Sequence, residues 1–217
     1  MQISLSEAGK RFNRDWIFRK VSYQFSSGNS YAITGPNGSG KSTLLQVIGG
    51  AIVSSEGTVN YEVNGKTEEP DNFYKHISIA APYQELIEEF SAAEFLTFHK
   101  QFKPFLTGFS VGEILKQVNL AHAAHKQIRY YSSGMKQRVK LAQAFFSDVP
   151  CILLDEPCTN LDLEGIALYH RLVNEFAAGK LVIISSNDEQ EIGFCRQRLA
   201  MEDLKPGRVN AGLQSTD

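Results

Sequence analysis

No run of apolar residues in this chain approaches the roughly 20 that a membrane-spanning helix needs. Leu181-Val-Ile-Ile184 is far too short, and the opening Met1-Gln-Ile-Ser has no signal-peptide character. Those absences predict a soluble, cytosolic protein whose membrane role, if it has one, requires a partner. Cysteine is scarce as well. Cys151, Cys158 and Cys195 are odd in number and lack zinc spacing, so reduced thiols are expected. His122 and His125 could share a helical face, yet no other ligand cluster accompanies them, and surface or packing histidines are the expectation. There is no charge excess either: 22 Lys and Arg against 24 Asp and Glu leave a formal −2. That balance offers no global attraction to nucleic acid or an anionic membrane, so no nucleic-acid partner is expected. The local exception, Lys10, Arg11, Arg14, Arg19 and Lys20, reads as a solvated face. Internal repeats and low-complexity tracts are absent too. At 217 residues and 42% hydrophobic content, the chain suits one large domain, or one domain with a smaller lobe.

What is present centres on Gly35-Pro36-Asn37-Gly38-Ser39-Gly40-Lys41-Ser42, which has the Walker A form G-x-x-x-x-G-K-[ST]. Its glycines let the backbone fold back and bring successive N–H groups into one concavity suited to phosphate oxygens. Lys41 would reach the β- and γ-phosphates, and the Ser42 hydroxyl would take a Mg²⁺ position. With Thr43 on the opening turn of the following helix, Gly35 to Thr43 is the expected phosphate-binding set. The flanks agree: Ser30 to Thr34 reads as a short buried strand, and Lys41 to Ile48 as a helix whose N-terminus faces the anion. The loop says nucleoside triphosphate.

Along the chain, Met1 to Phe25 reads as strands broken by a turn at Asn13-Arg14-Asp15. Thr58 to Val63 alternates as a strand before Asn64-Gly65, a hairpin signal, and Ile77 to Ala80 is a short buried strand. From Glu85 to Tyr131 the pattern turns helical. Ser91-Ala-Ala-Glu94 and Ser110-Val-Gly-Glu113 have capping-box form, with Pro104 and Gly108 between them. A separate small lobe is expected there, within a single domain over residues 1–217 whose core is 1–84 and 132–217. From Ser132 the order is helix, strand, helix, strand: Ser132 to Phe146, Cys151 to Leu154, Leu163 to Ala178 and Lys180 to Ser185. That alternation implies a parallel sheet with its ligands at the carboxyl ends of the strands. The tail Val209 to Asp217 is expected to be loosely held.

The apolar strand ending in Asp155-Glu156-Pro157 fits a Walker B segment. Asp155 would hold the Mg²⁺ shell near Ser42, and Glu156 would act on the attacking water as general base or orienter. Upstream of it, Tyr131-Ser132-Ser133-Gly134-Met135-Lys136-Gln137-Arg138 resembles the signature motif of the ATP-binding cassette (ABC) ATPases. Ser132 offers a hydroxyl and Gly134 an unobstructed N–H at a helix N-terminus, an anion site for a second subunit's nucleotide. The resemblance covers nearly the whole chain. It implies a P-loop α/β fold of the ABC type: a mixed sheet with flanking helices, an antiparallel β subdomain and a small helical lobe.

Residue by residue, the resemblance implies that Ser132, Ser133, Gly134 and Met135 contact ATP across a dimer. Phe12 resembles the adenine-stacking aromatic, with Trp16 a weaker candidate. Gln84 falls where the family's Q-loop glutamine contacts Mg²⁺ and the water. Asn160-Leu161-Asp162 resembles the D-loop, Asp162 lying near the shared nucleotide. Three departures stand out: Ser133 replaces a signature glycine, Met135 replaces its glutamine, and Asn187 stands in the place of the switch histidine. Asparagine can hydrogen-bond a γ-phosphate but stays neutral and relays no proton, so hydrolysis slower than the family norm is expected. The implied function is the ATP-binding, ATP-hydrolysing subunit of an ABC transporter. It would dimerise with a second copy or a close paralogue around two ATP and Mg²⁺, on the cytoplasmic face of separate membrane subunits. The alternatives are a soluble ABC ATPase, such as an iron–sulfur assembly type, and a slow-hydrolysing regulatory switch.

Overall fold

The computed structural model describes residues 1–205; the tail Val209 to Asp217 lies outside them. Two sheets organise the chain. The first is antiparallel, in the order β2-β1-β4-β5, with β1 Gln2–Phe12, β2 Asp15–Ser26, β4 Glu56–Val63 and β5 Lys66–Glu68. Asn64 and Gly65 have φ of 52° and 74°, the pair of positive values that a two-residue primed hairpin turn demands. The second sheet is wholly parallel, in the order β6-β7-β8-β3-β9. Its strands are β6 Ile77–Ala80, β7 Cys151–Asp155, β8 Leu181–Ser185, β3 Ser30–Thr34 and β9 Gln197–Ala200. The fold class stands, with the antiparallel and parallel pairings in separate sheets.

Strands β7 and β8 are continuous apolar runs because both faces of the parallel sheet are covered. Period two sorts their side chains. Cys151, Leu153, Leu181 and Ile183 face a core shared with the antiparallel sheet and with helix α1 (Lys41–Ile48), whose Leu44, Leu45 and Ile48 are fully buried. Ile152, Leu154, Val182 and Ile184 face the opposite core, under α5 (Ser133–Phe146) and α6 (Leu163–Phe176). Shorter helices are α2 Pro70–Phe73, α3 Ala92–His99, α4 Val111–Gln117 and α7 Glu189–Ile192.

The segment 85–131 is less helical than its pattern predicts. Both capping boxes form, Ser91 with Glu94 and Ser110 with Glu113, and they open α3 and α4. Beyond those helices the chain is loop with two short 3-10 turns. Pro104, Gly108 at φ 90° and Asn119 at φ 58° interrupt any longer helix. Buried Leu96, Ile114 and Leu115 carry the segment onto the α5 side of the sheet in one continuous core. No helix among the described residues is long and apolar enough to cross a membrane.

Candidate nucleotide-binding site

The Walker A loop, Gln84, the Walker B pair and Asn187 all end or follow strands of the parallel sheet at its carboxyl edge. β3 runs into Gly35, β6 into Gln84, β7 ends at Asp155, and β8 leads to Asn187. Between β3 and α1 the loop turns through Gly35 at φ 143°, Gly38 at 79° and Gly40 at 104°. The α1 N-terminus therefore points its free N–H groups into the concavity. A cleft of about 260 Å³ is lined by Asn37, Gly38, Gly40, Lys41, Ser42 and Thr43, with Ile17 on one wall and Glu156 on another. Lys41 is buried and donates from Nζ to the Gly35 carbonyl at 2.7 Å and to the Pro36 carbonyl at 3.4 Å. Pro36 is exposed, and Ser39 is buried with its hydroxyl unpaired.

Asp155 is 2% exposed, and its Oδ1 has no hydrogen-bond partner. The buried Oε1 of Gln84 is likewise unpaired. Orphaned oxygens of this kind cost free energy in a closed interior and fit a hard, oxygen-preferring cation. The described residues hold no cluster of three or more His, Cys, Asp or Glu able to bind a metal alone. Mg²⁺ needs none, since one or two carboxylates plus phosphate oxygens and water complete its shell. The Tyr83 hydroxyl is pushed up to about 12, by desolvation first and then by the Asp155 charge. Glu156, next in line, sits in the left-handed region at φ 43°, a strained setting for a non-glycine residue.

Ser132 caps α5, accepting from the Met135 N–H at 3.2 Å. Ser132 and Ser133 are exposed, and Gly134 lies so close to the Asn160 carbonyl that a Cβ would stand 2.9 Å from it. Asp162 caps α6 through the Gly165 N–H at 2.8 Å and meets Arg138 of α5 at 3.2 Å. Those contacts, led by the Gly165 amide, hold its carboxyl below the usual range. Asn187 grips the Gly35 peptide at both ends: Oδ1 accepts from the Gly35 N–H at 2.8 Å, and Nδ2 donates to the Gly35 carbonyl.

A family model described as ABC transporter matches residues 18–159. The chain is 30% identical over 185 residues to the uncharacterized ABC transporter ATP-binding protein YybJ of Bacillus subtilis (strain 168), covering 84% of each chain. That match decides the family. This chain belongs to the ABC transporter ATP-binding family. The cytochrome c biogenesis ATP-binding export protein CcmA of Agrobacterium fabrum is 31% identical over 199 residues, 89% of this chain and 92% of that protein. Among solved structures, the dimeric structure of MJ0796, a bacterial ABC transporter cassette, superposes with a TM-score of 0.77 at 25% identity. It covers 95% of this chain and 96% of that one. The family binds ATP, normally with Mg²⁺, and hydrolyses it.

Within the ABC frame, the hairpin wall of the cleft is Ile17. Phe12, 47% exposed at the end of β1, is not among the residues lining that cleft, and Lys10 Nζ lies over its ring at 5.2 Å. Arg11 and Arg19 both lie over the Trp16 ring, at 5.5 and 4.5 Å. Ile17 carries no sequence signal of its own; only the approach of the hairpin to Gly40 reveals it. All three cysteines are free and buried, and desolvation pushes their thiols up, so none is a poised nucleophile. Gln137 and Glu191, both buried beside the Walker B turn, also went unread in the sequence.

Proposed function

We propose that this chain is the ATP-hydrolysing subunit of an ABC transporter, closing with a second copy or close paralogue around two ATP and driving separate membrane subunits. The observation that carries the reading is the cleft lined by Lys41, Ser42 and Glu156, with the unpaired oxygen of Asp155 on the residue just before Glu156. In this reading the N–H groups from Gly38 to Thr43, with Lys41, hold the phosphates. Ser42, Asp155 and Gln84 would hold Mg²⁺, which would supply positive charge to offset that developing on the phosphoryl oxygens. The Glu156 carboxylate accepts the proton of the attacking water. Ser132, Ser133, Gly134 and Met135, on the exposed end of α5, would close over the partner's ATP, with Asp162 crossing the interface. The lobe over 85–131 would receive the membrane subunit.

The experiment is Glu156→Gln, which keeps the shape and removes the base. With ATP it should trap a dimer, read by light scattering after gel filtration, while turnover falls by roughly 10²-fold or more. A monomer under saturating ATP would overturn the paired site. Recovery of a soluble assembly partner in place of a multi-spanning membrane protein would overturn the transporter role.

A slower, switch-like ATPase is the second reading, and the Asn187 grip on Gly35 favours it. The amide is engaged with the loop at both ends, and it has no ionisable proton to lend to the reaction.

A further inference from the structure

The turn after β7 carries one peptide out of the sheet and into the interior. Asp155 ends the strand, Glu156 turns at φ 43°, and Pro157 and Cys158 are buried beyond it. The peptide joining Pro157 to Cys158 presents a carbonyl and an N–H outside any strand ladder. Buried peptide groups of this kind need partners. Two side chains supply them. Gln137 Nε2 donates to the Pro157 carbonyl at 2.7 Å, and Glu191 Oε1 accepts from the Cys158 N–H at 2.6 Å.

Both side chains are 4% exposed. Gln137 stands on α5 beside Gly134, and Glu191 on α7 close after Asn187. The Tyr169 hydroxyl donates to the Glu191 main-chain carbonyl at 2.8 Å. Glu191 is thus fixed at its backbone and at its carboxylate. The chemistry at each end is one-sided: the carbonyl needs a donor, and the N–H needs an acceptor.

We propose that Gln137 and Glu191 are positioning residues that clamp the Pro157–Cys158 peptide from its two sides. They thereby join the α5 N-terminus, the turn bearing Glu156 and the segment at Asn187 into one mechanical unit. The functional half of the inference rests on the reading above. There, the end of α5 serves the partner's ATP and Asn187 serves its own. The clamp then carries the state of one nucleotide site to the other through a single peptide. Spatial intermediacy alone is no proof of coupling, so the test must read coupling directly.

Hydrogen exchange of the full chain, followed by mass spectrometry, does so. Gln137→Leu should speed exchange by roughly tenfold in peptides spanning 185–193, on the far side of the clamp. Glu191→Leu should do the same for 132–138, and the double variant should add little to either single one. Glu191→Gln keeps an acceptor and should exchange like the unsubstituted chain. Gln137→Met keeps the length but has no donor and should behave like Gln137→Leu. In turnover, the clamp-breaking variants should lose roughly tenfold in kcat with KM for ATP nearly unchanged. Exchange confined to the neighbourhood of each substitution, or failure of Glu191→Gln to restore it, overturns the clamp. If exchange spreads as expected while Glu156→Gln traps no dimer, the clamp stands and the paired-site reading falls.

Discussion

Gly40 admits no side chain, for two independent reasons. Its φ of 104° is left-handed, and a Cβ built there would stand 2.1 Å from Ile17 Cγ2. Ile17 is β-branched and cannot swing aside cheaply. Gly40→Ala should therefore cost about 1–3 kcal/mol of stability and weaken nucleotide binding, since the loop that presents the α1 amides is displaced. Denaturant midpoints and a fluorescent ATP analogue measure the two effects. Adding Ile17→Ala should recover only part of the loss, because the backbone strain at Gly40 persists. A single variant indistinguishable from the unsubstituted chain would refute the argument. Asn187 sets a second test at this scale. Asn187→His supplies a group that can carry a proton, and turnover should rise by roughly tenfold or more, the scale of one positioned polar group at a phosphoryl-transfer site. An unchanged or lower rate would show that the grip on Gly35, which an imidazole cannot reproduce at both ends, matters more than the missing proton.

At the scale of elements, the lobe is pinned to α5 by a contact that senses pH. The His99 ring stacks on Phe105 at 5.8 Å, and its Nε2 meets Ser147 Oγ at 2.9 Å. Ser147 already donates its hydroxyl proton to the Gln143 carbonyl at 2.6 Å, so the imidazole must be the donor, neutral and protonated on Nε2. Burial, followed by the Lys103 charge, lowers the His99 pKa from 6.5 to about 4. Above pH 6.5 folded and unfolded chains are both neutral at this site, and its contribution to stability is complete. Between 6.5 and about 4 the unfolded chain takes up a proton that the folded one refuses, so stability falls by about 1.4 kcal/mol per pH unit. Urea midpoints at pH 7 and pH 5 should separate more for the unsubstituted chain than for His99→Gln; equal separations would discard the assignment. Elements with a local cause were legible in the sequence. The Walker A glycines, the two capping boxes and Asn64-Gly65 each dictate backbone geometry over a few residues. β9 was not legible, because Gln197-Arg-Leu-Ala200 shows little apolar pattern and becomes a strand only beside β3. Ile17 was missed for the same physical reason: its place in the cleft depends on a hairpin registering against a loop some twenty residues away. Phe12 is a candidate by its position about thirty residues before Lys41 in the family pattern; it ends β1, 47% exposed and outside the lining of the cleft.

The whole molecule combines a near-neutral surface, no membrane-crossing helix among its described residues and a nucleotide cleft at one sheet edge. If the cleft drives membrane subunits as proposed, the work leaves through some other surface, and the 85–131 segment offers an apolar one. Phe102 is 61% exposed and Phe98 40%, their rings edge to face at 5.1 Å, and Phe90 continues the row at 5.9 Å from Phe98. Tyr83 and Ile87, on either side of Gln84, are exposed as well. Exposed aromatics in a row mark contact surfaces more often than solvent-facing ones, and aromatic anchors carry a large share of binding free energy. Phe95 and Phe105, by contrast, are buried in the core that the 85–131 segment shares with α5 and the parallel sheet. The two sets therefore predict opposite phenotypes. Phe95→Ser should destabilise the chain by about 3 kcal/mol or more, visible in the melt and in ATP turnover together. Phe98→Ser combined with Phe102→Ser should leave the melting temperature and the turnover of the isolated subunit nearly unchanged. The same pair should weaken capture of the membrane partner from detergent extract by at least roughly tenfold, since two hot-spot side chains are lost. If that double variant still captures the partner at full strength, the aromatic row is not the surface through which closure of the cleft is transmitted.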